Sequence, residues 1–546
     1  MAYDYDLGRY SRPVTAASAE AQRWFDRGLI WTYGYNHEEA RRCFDRALAA
    51  DPDCAMAHWG LGYAAGPNYN YEWWHMDPDS QAEALATAYD ASRRALALAD
   101  RVTAPERALI AALAARYPRR EPAPDMVPWN HAFADAMRTV HAGFPGDLDI
   151  ATVFAESLLN LTPWRMWDLK TGEPAPHAVE ARRVLEDAFE IPAAWDHPGL
   201  LHLYVHLMEM SPTPELALRH GDRLRTLVPA SGHLVHMPTH IDVLCGQYHD
   251  VLAWNERASE ADRVLIAAEG PYGIYHGYWL HNLHFAAYGA MFLGQFAPAL
   301  AAARKAVEVT PESLLRIESP PIADFFESYM GFEPHVLIRF GRWEDIIAAR
   351  MPTDRDLYRN LTANWLYAKG VAHAARGEVE GALAMQRRFR EARARIPESR
   401  LLHNCRCVDL QEVGDAMLEG EIAYRIGDHD RAFDALRLAV AREDALPYDE
   451  PWGWMQPSRH ALGALLLEQG RLEEAEAVYR ADLGLDDTVP RACQHPGNVW
   501  ALHGLHQCLT RLGRTGEARL IAGPLAIAAA RADAPPRASC MCATAA

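Results

Sequence analysis

AQRWFDRGLIWTYGYNHEEARRCFDRALAADPDC, residues 21–54, is the stretch on which the fold turns. Its Trp24, Gly28, Trp31, Ala40, Phe44, Ala47 and Pro52 are spaced as in a 34-residue helix-turn-helix unit. The small residues let two antiparallel helices approach, and the large ones fill the space between them. Related registers recur along the chain, marked by a turn glycine and an alanine five residues later. Gly246, Gly294, Gly341, Gly377, Gly427, Gly470 and Gly513 are such turns, and Ala299, Ala382, Ala432, Ala475 and Ala518 follow them. Strand-like alternation bounded by turn signals is scarce, so the chain reads as almost all helix.

This pattern resembles the tetratricopeptide repeat, with Arg27 standing where the repeat usually carries leucine. The resemblance implies an all-α fold, a tetratricopeptide-repeat right-handed superhelix (α-solenoid). It spans 1–535 as a single array with histidine-rich core repeats at 198–313 and a disordered tail at 536–546. Segments rich in Pro, Trp and Asn interrupt the array at 66–80, 118–130, 161–177, 317–326 and 446–457. They are too aromatic for solvated linkers and are expected as loops folded over the helices.

At 546 residues, 50% hydrophobic and 23% charged, the composition is that of an ordinary folded chain. A formal net charge of -19 argues against a general binder of nucleic acid or anionic membranes, because both need clustered Lys and Arg. A small molecule or a peptide is the expected partner. MAYDYDLGRY lacks the basic start and apolar core of a secretion signal, and no run of eighteen apolar residues occurs, so the reading is cytoplasmic. Nine scattered cysteines do not form a disulfide framework.

The histidines carry the functional signal. Eleven of the 25 fall between His197 and His284, where an even spread would put about four. His202 and His206 recur one repeat later as His236 and His240. With Gly246 as the turn, His233, His236 and His240 are the second, fifth and ninth residues of their repeat. His202 and His206 are fifth and ninth in the repeat before. His281 and His284 are second and fifth in the next, with Tyr288 ninth. The tetratricopeptide resemblance implies that these positions face a concave groove. Residues three, four or seven apart share a helix face in any case, and a pair at i and i+4 can hold one metal ion. Pro238 is expected to bend its helix or to begin a new one.

His202, His206, His233, His236, His240, His281 and His284 are therefore the candidate metal ligands. Imidazole-dominated sites suit copper, zinc, iron and nickel. Seven rings exceed one tetrahedral zinc and would serve two ions, copper first, with iron or zinc as alternatives. Glu209 and Tyr288 are the candidate catalytic residues, and Glu209, Asp242 and Tyr288 can also act as outer partners of the ligands. Cys540-Met541-Cys542 offers soft donors of the kind that favour cuprous ions.

WGLGYAAGPNYN, HPGLLHLYVH, GHLVHMPTHI, HNLHF and PYDEPWGWMQPSRHALGALL, in that order, resemble a group of large bacterial tetratricopeptide proteins whose histidine signatures fall on His202, His206, His236, His240, His281 and His284. Thr239 stands where that group usually has serine. The resemblance names no substrate. The leading expectation is a metal-dependent oxidoreductase with a dinuclear, histidine-ligated site activating dioxygen to oxidise a small molecule or peptide. The alternatives are a zinc-dependent hydrolase with Glu209 or Glu156 as general base, and a non-catalytic adaptor that holds a peptide.

Overall fold

The computed structural model describes residues 3–270 and 273–543, and they are helical almost throughout. Among the described residues the only paired strands are Leu401–Leu402 and Cys405–Arg406, antiparallel, with Leu401 opposite Arg406 and Leu402 opposite Cys405. The fold class is all-α, built from antiparallel helix pairs of tetratricopeptide type. Where the repeat pattern reads as one array, the chain divides into two compact units, residues 1–241 with 260–265, and residues 242–259 with 266–546.

In the first unit, Ala19–Tyr33 and His37–Ala50 form the hairpin announced by the opening stretch. Ser18 and Asn36 cap them, accepting from the amides of Ala21 and Glu39. Phe44 is fully buried between them. A β-carbon at Gly28 would stand 2.6 Å from its ring, which is why this position is glycine. The same unit continues through helices that include Leu148–Leu159, Pro198–Met208 and Gly232–His236, the last followed by a second segment, Pro238–Leu244. Pro238 thus begins a helix: its missing N–H falls in a first turn, where no partner is required. The bend at Met237 is closed by bonds from Met237 N to His233 O (2.9 Å) and from His240 N to Met237 O (3.1 Å).

The second unit is more regular. Ile274–Leu293 with Phe296–Val309, Arg359–Ala375 with Val379–Arg393, Cys407–Arg425 with His429–Asp444, Ser458–Glu468 with Leu472–Asp482, and Val499–Arg511 with Thr515–Ala529 are successive helix pairs. All seven turn glycines read from the sequence lie in this unit with φ between 63° and 84°. Each is followed by an amide that closes back five residues, as Gln295 N does on Ala290 O (2.9 Å) and Glu378 N on His373 O (2.9 Å). A left-handed residue is what that closure requires, and glycine supplies it without steric cost.

The disordered tail expected at 536–546 is instead seated on the second unit over its described part. Arg339 Nη1 donates to Ser539 O (2.9 Å), Ser539 Oγ donates to His460 O (2.9 Å), and the Tyr479 and Ser539 hydroxyls share a bond (2.6 Å). Cys540 and Cys542 form a disulfide, and the other seven cysteines are free thiols.

Candidate metal centre

The repeat offset predicts that His202, His206, His236 and His240 present their rings on corresponding faces, and the first unit brings them together with His233. All five are buried, none more than 2% exposed. His202 and His206 come from Pro198–Met208, one helical turn apart, with ring centroids separated by 4.7 Å. His233 and His236 come from Gly232–His236, and His240 from beyond the bend at Met237.

Three of these rings have a fixed orientation. The Nδ1 atom of His202 lies 2.7 Å from the Tyr33 carbonyl, which can only accept, so Nδ1 is the protonated nitrogen and Nε2 carries the lone pair. Glu209 does the same twice. Its Oε1 is 2.9 Å from His206 Nδ1 and its Oε2 is 2.7 Å from His240 Nδ1. A carboxylate or carbonyl accepting from one ring nitrogen while the other is turned inward is how metal-ligating histidines are held. Tyr33 is itself anchored, since its hydroxyl donates to Asp149 (2.5 Å), which also receives Arg12 (2.7 Å) and faces His197 (3.3 Å). Burial would raise the Asp149 carboxyl, but those partners hold it far below the usual range.

The inward nitrogens meet in pairs. His202 Nε2 and His233 Nε2 are 3.1 Å apart, and His236 Nε2 and His240 Nε2 are 2.7 Å apart. Two nitrogens each about 2.0–2.1 Å from one ion, at tetrahedral to right angles, stand about 3 Å from each other. His202, His206 and His233 each offer a ring nitrogen within 4.8 Å of the others, and so do His206, Glu209 and His240 with one donor atom each. His206 Nε2 is buried and has no hydrogen-bond partner among the described atoms. Burial pushes the His202 imidazole down to about 3, and burial together with the neighbouring rings takes His206 and His233 well below the ordinary value. These rings are neutral at pH 7, the state in which imidazole donates a lone pair.

Aromatic side chains wall the cluster, and none was singled out as a site residue from the sequence. Tyr35 packs its ring on three of the histidines, with centroids 4.7 Å from His202, 5.7 Å from His233 and 5.8 Å from His206. Tyr69 lies 4.6 Å and Trp164 5.9 Å from His206. Both come from the irregular segments at 66–80 and 161–177, expected to fold over the helices, and both rings lie against His206. The signal for Tyr35 was present, because it occupies the repeat position at which the second unit carries its turn glycines. Its φ is 54°. Non-glycine residues in this region are uncommon and cluster at functional sites. Among the described residues three other than glycine have positive φ, namely Tyr35, Trp164 and His403, and each ring abuts a candidate ligand.

His281, His284 and Tyr288 lie in the second unit. The His281 ring is 4.9 Å from that of His403, whose Nδ1 is 2.5 Å from Asp449 Oδ1. His284 stacks on Phe332 (4.3 Å) and sets its Nε2 3.0 Å from the Met455 sulfur. Tyr288 is buried against Phe292 (4.4 Å), and burial first, then nearby Tyr248, Glu443 and Asp482, keep its phenol protonated. The 446–457 loop, one of the segments expected to fold over the helices, supplies Asp449 and Met455 to these contacts. Glu156, the other carboxylate considered as a base, is buried in the first unit, accepts from the Tyr63 hydroxyl and is raised by burial.

No profile of a known protein family matches the chain, and no curated protein matches it. Among solved structures it is similar to the Cut9–Hcn1 hetero-tetramer of the APC/C, at 13% identity over 90% of this chain and 76% of that one, with a TM-score of 0.31. Yeast Tom70 gives 11% identity over 92% of this chain and 96% of that one, again with a TM-score of 0.31. Naa15/Naa10 bound to HypK gives 14% identity over 93% and 70%, with a TM-score of 0.22. None of these likenesses is near enough in backbone shape to transfer a function.

Proposed function

We propose that the chain is a helical-repeat metalloprotein whose first unit holds metal between His202, His206, His233, His236 and His240, and that it is an oxidoreductase acting on a small molecule or peptide with dioxygen. The observation that carries the reading is the set of fixed tautomers. Tyr33 and Glu209 take the Nδ1 protons of three buried rings, and His206 Nε2 is left as a buried acceptor with no protein hydrogen. A buried polar atom without a partner is costly and marks the place of an ion or a water. The two nitrogen pairs suit two ions, with His202, His206 and His233 around one and His236 and His240 on the other. Copper comes before iron, because the donors are imidazoles and the carboxylate is turned to the outer nitrogens. When bound, such ions would supply the one-electron and dioxygen chemistry that protein side chains lack. Tyr35, Tyr69 and Trp164 would keep bulk water from them.

The same geometry weakens the hydrolase alternative. Both Glu209 oxygens already accept from imidazoles, so a proton taken up there as general base would compete with the bonds that orient His206 and His240. Untagged protein loaded with copper and reduced is expected to consume dioxygen when given its substrate, and the zinc-loaded form is not. Equal turnover with zinc would overturn the redox assignment.

One observation favours a second reading, the peptide-holding adaptor. A cavity of about 10 Å³ in the second unit, room for about one water, is lined by Asn360, Asn364, Gln411, His335 and Trp454 among others. Gln411 donates to the side-chain oxygens of Asn360 (2.9 Å) and Asn364 (2.6 Å). Its own Oε1 has no partner among the described atoms. These amides, on successive first helices of helix pairs, are buried and would meet an extended backbone once this small pocket opened. Binding of labelled peptides by metal-free protein, abolished in Gln411→Ala, would support this reading. Peptide binding unchanged in that variant would remove it.

A further inference from the structure

The segment that seats Ser539 also carries the two sulfurs of the Cys540–Cys542 disulfide to a buried carboxylate. Cys540 Sγ, Cys542 Sγ and a Glu421 carboxylate oxygen all lie within 4.8 Å of one another. Glu421 projects from Cys407–Arg425 and is 2% exposed. Its Oε2 accepts no hydrogen bond among the described atoms. The nearest cation, the Arg425 guanidinium, stands 3.9 Å from that oxygen and donates instead to the Cys542 carbonyl. The position of the pair is set by the backbone and not by the disulfide alone. Arg339 and Tyr479 hold Ser539, Arg425 holds Cys542, and Met541 packs over the turn at Gly341.

We propose that in the dithiol form Cys540, Cys542 and Glu421 bind one thiophilic d10 divalent ion of the zinc class, and that formation of the Cys540–Cys542 disulfide releases it. The donor set fits that ion. Two thiolates and one carboxylate supply three of four tetrahedral positions, water supplies the fourth, and the Arg425 guanidinium alone does not balance the three negative charges, which leaves room for a dication. A bound ion would hold the sulfurs about 3.7 Å apart, from metal–sulfur distances of about 2.3 Å. The Cα atoms, 5.2 Å apart in the disulfide, need move little to allow it. The chemistry balances by exchange with a dithiol–disulfide couple: a small-molecule disulfide takes the two electrons of the thiolates as the Cys540–Cys542 bond forms and the ion leaves, and the corresponding dithiol drives the reverse. In that reverse step the dithiol's two electrons and two protons cleave the S–S bond to two thiols while the reductant becomes a disulfide. Metal entry then displaces the two thiol protons to solvent. The site shares no residue with the histidine centre and stands or falls without it.

Full-length protein, reduced with a dithiol and freed of it without air, is titrated with Cd2+ while the cadmium–thiolate charge-transfer absorbance is followed. Imidazoles and carboxylates give no such band, so the histidine centre is silent. Reduced wild type is expected to show one equivalent more of this band than Cys540→Ser/Cys542→Ser, and the disulfide form to match that double variant. Glu421→Gln should bind the equivalent tenfold more weakly or worse, read by competition with a chelator. An equal band in the double variant, uptake by the disulfide form equal to that of the dithiol form, or wild-type affinity in Glu421→Gln would each overturn the proposal. Should the double variant fail to fold, the comparison of reduced with oxidised wild type decides it.

Discussion

The two units treat the same repeat position in opposite ways. In the second unit seven turns use glycine at a left-handed φ, and at Gly246, Gly294 and Gly341 the missing β-carbon also admits Pro496, Ala532 and Met541. In the first unit the corresponding residue is Tyr35, held at φ 54° with its ring on His202, His206 and His233. A strained turn of this kind costs about 1 kcal/mol or more, and here the cost is met where an aromatic wall is needed. The histidines differ in the same sense. His284 in the second unit has its Nε2 on a thioether, its ring on Phe332 and no acceptor for its Nδ1 among the described atoms, whereas His206 and His240 in the first share a carboxylate that turns their lone pairs together. Repeat register puts histidine on a face. A residue outside the repeat pattern makes that face a ligand set.

The sharpest way to break this contrast is to remove one ring from each unit. His206→Ala or His240→Ala is expected to lower copper affinity at least a hundredfold with helix content unchanged, because the lost ring belongs to the ligand set. His284→Ala should leave that affinity within about twofold. Isothermal titration of untagged, metal-free protein measures both. If the three variants weaken binding alike, the difference between the units is not one of ligation.

Next in size is the outer partner. Glu209→Gln keeps the shape but accepts at one oxygen only, so one imidazole loses its orienting acceptor. Affinity should fall about 10–100-fold, as is usual when such partners are lost. Asp449→Asn, the partner of His403 in the second unit, should leave it unchanged. A wild-type affinity in Glu209→Gln, measured in the same titration, would show that its two bonds are incidental.

Acid tests what the units share, which is burial. Burial, aided by Arg116, pushes His37 down to about 4, and burial alone does the same to His335. Their unfolded values lie near 6.5. Below 6.5 the unfolded chain takes up protons that the folded chain refuses until about pH 4, so stability falls on acidification through that window and is flat above it. At pH 5.5 each ring should cost about 1 kcal/mol, read from urea midpoints of metal-free protein, and His335→Gln should flatten the second unit's share. Stability rising as pH falls from 7 to 5.5 would contradict the buried, neutral state.

Thr239→Ser should have the smallest effect. The hydroxyl donates to the His236 carbonyl (2.7 Å), a bond serine can also make, so stability should change by less than about 0.5 kcal/mol. A larger loss in thermal unfolding would mean that the threonine methyl packs as part of the cluster.

Much of the fold was legible because helix packing is local. The spacing of Gly28, Ala40 and Phe44 announces a hairpin, and each turn glycine announces a closure five residues back. The histidine set was legible through the 34-residue offset, since equal register means equal facing. What the sequence could not place were contacts across long separations. Tyr35 and Tyr69 reach His206 over more than a hundred residues, and the Tyr33 carbonyl that orients His202 has no side-chain signature at all. The tail at 536–546 reads as disordered because it is a chain terminus, yet its described part is tied down by Arg339, Arg425 and Tyr479, residues that no local pattern connects to it.

The central claim is that the first unit's imidazoles hold metal. The most direct measurement is the copper content and nearest-neighbour scattering of the untagged full chain after exhaustive dialysis, set beside His206→Ala. Two equivalents of copper ringed by nitrogen at about 2 Å in the wild type, with the count reduced in the variant, is the result this account predicts. A wild type that retains no copper, iron or zinc, or a variant that retains as much as the wild type in the same coordination, would contradict it.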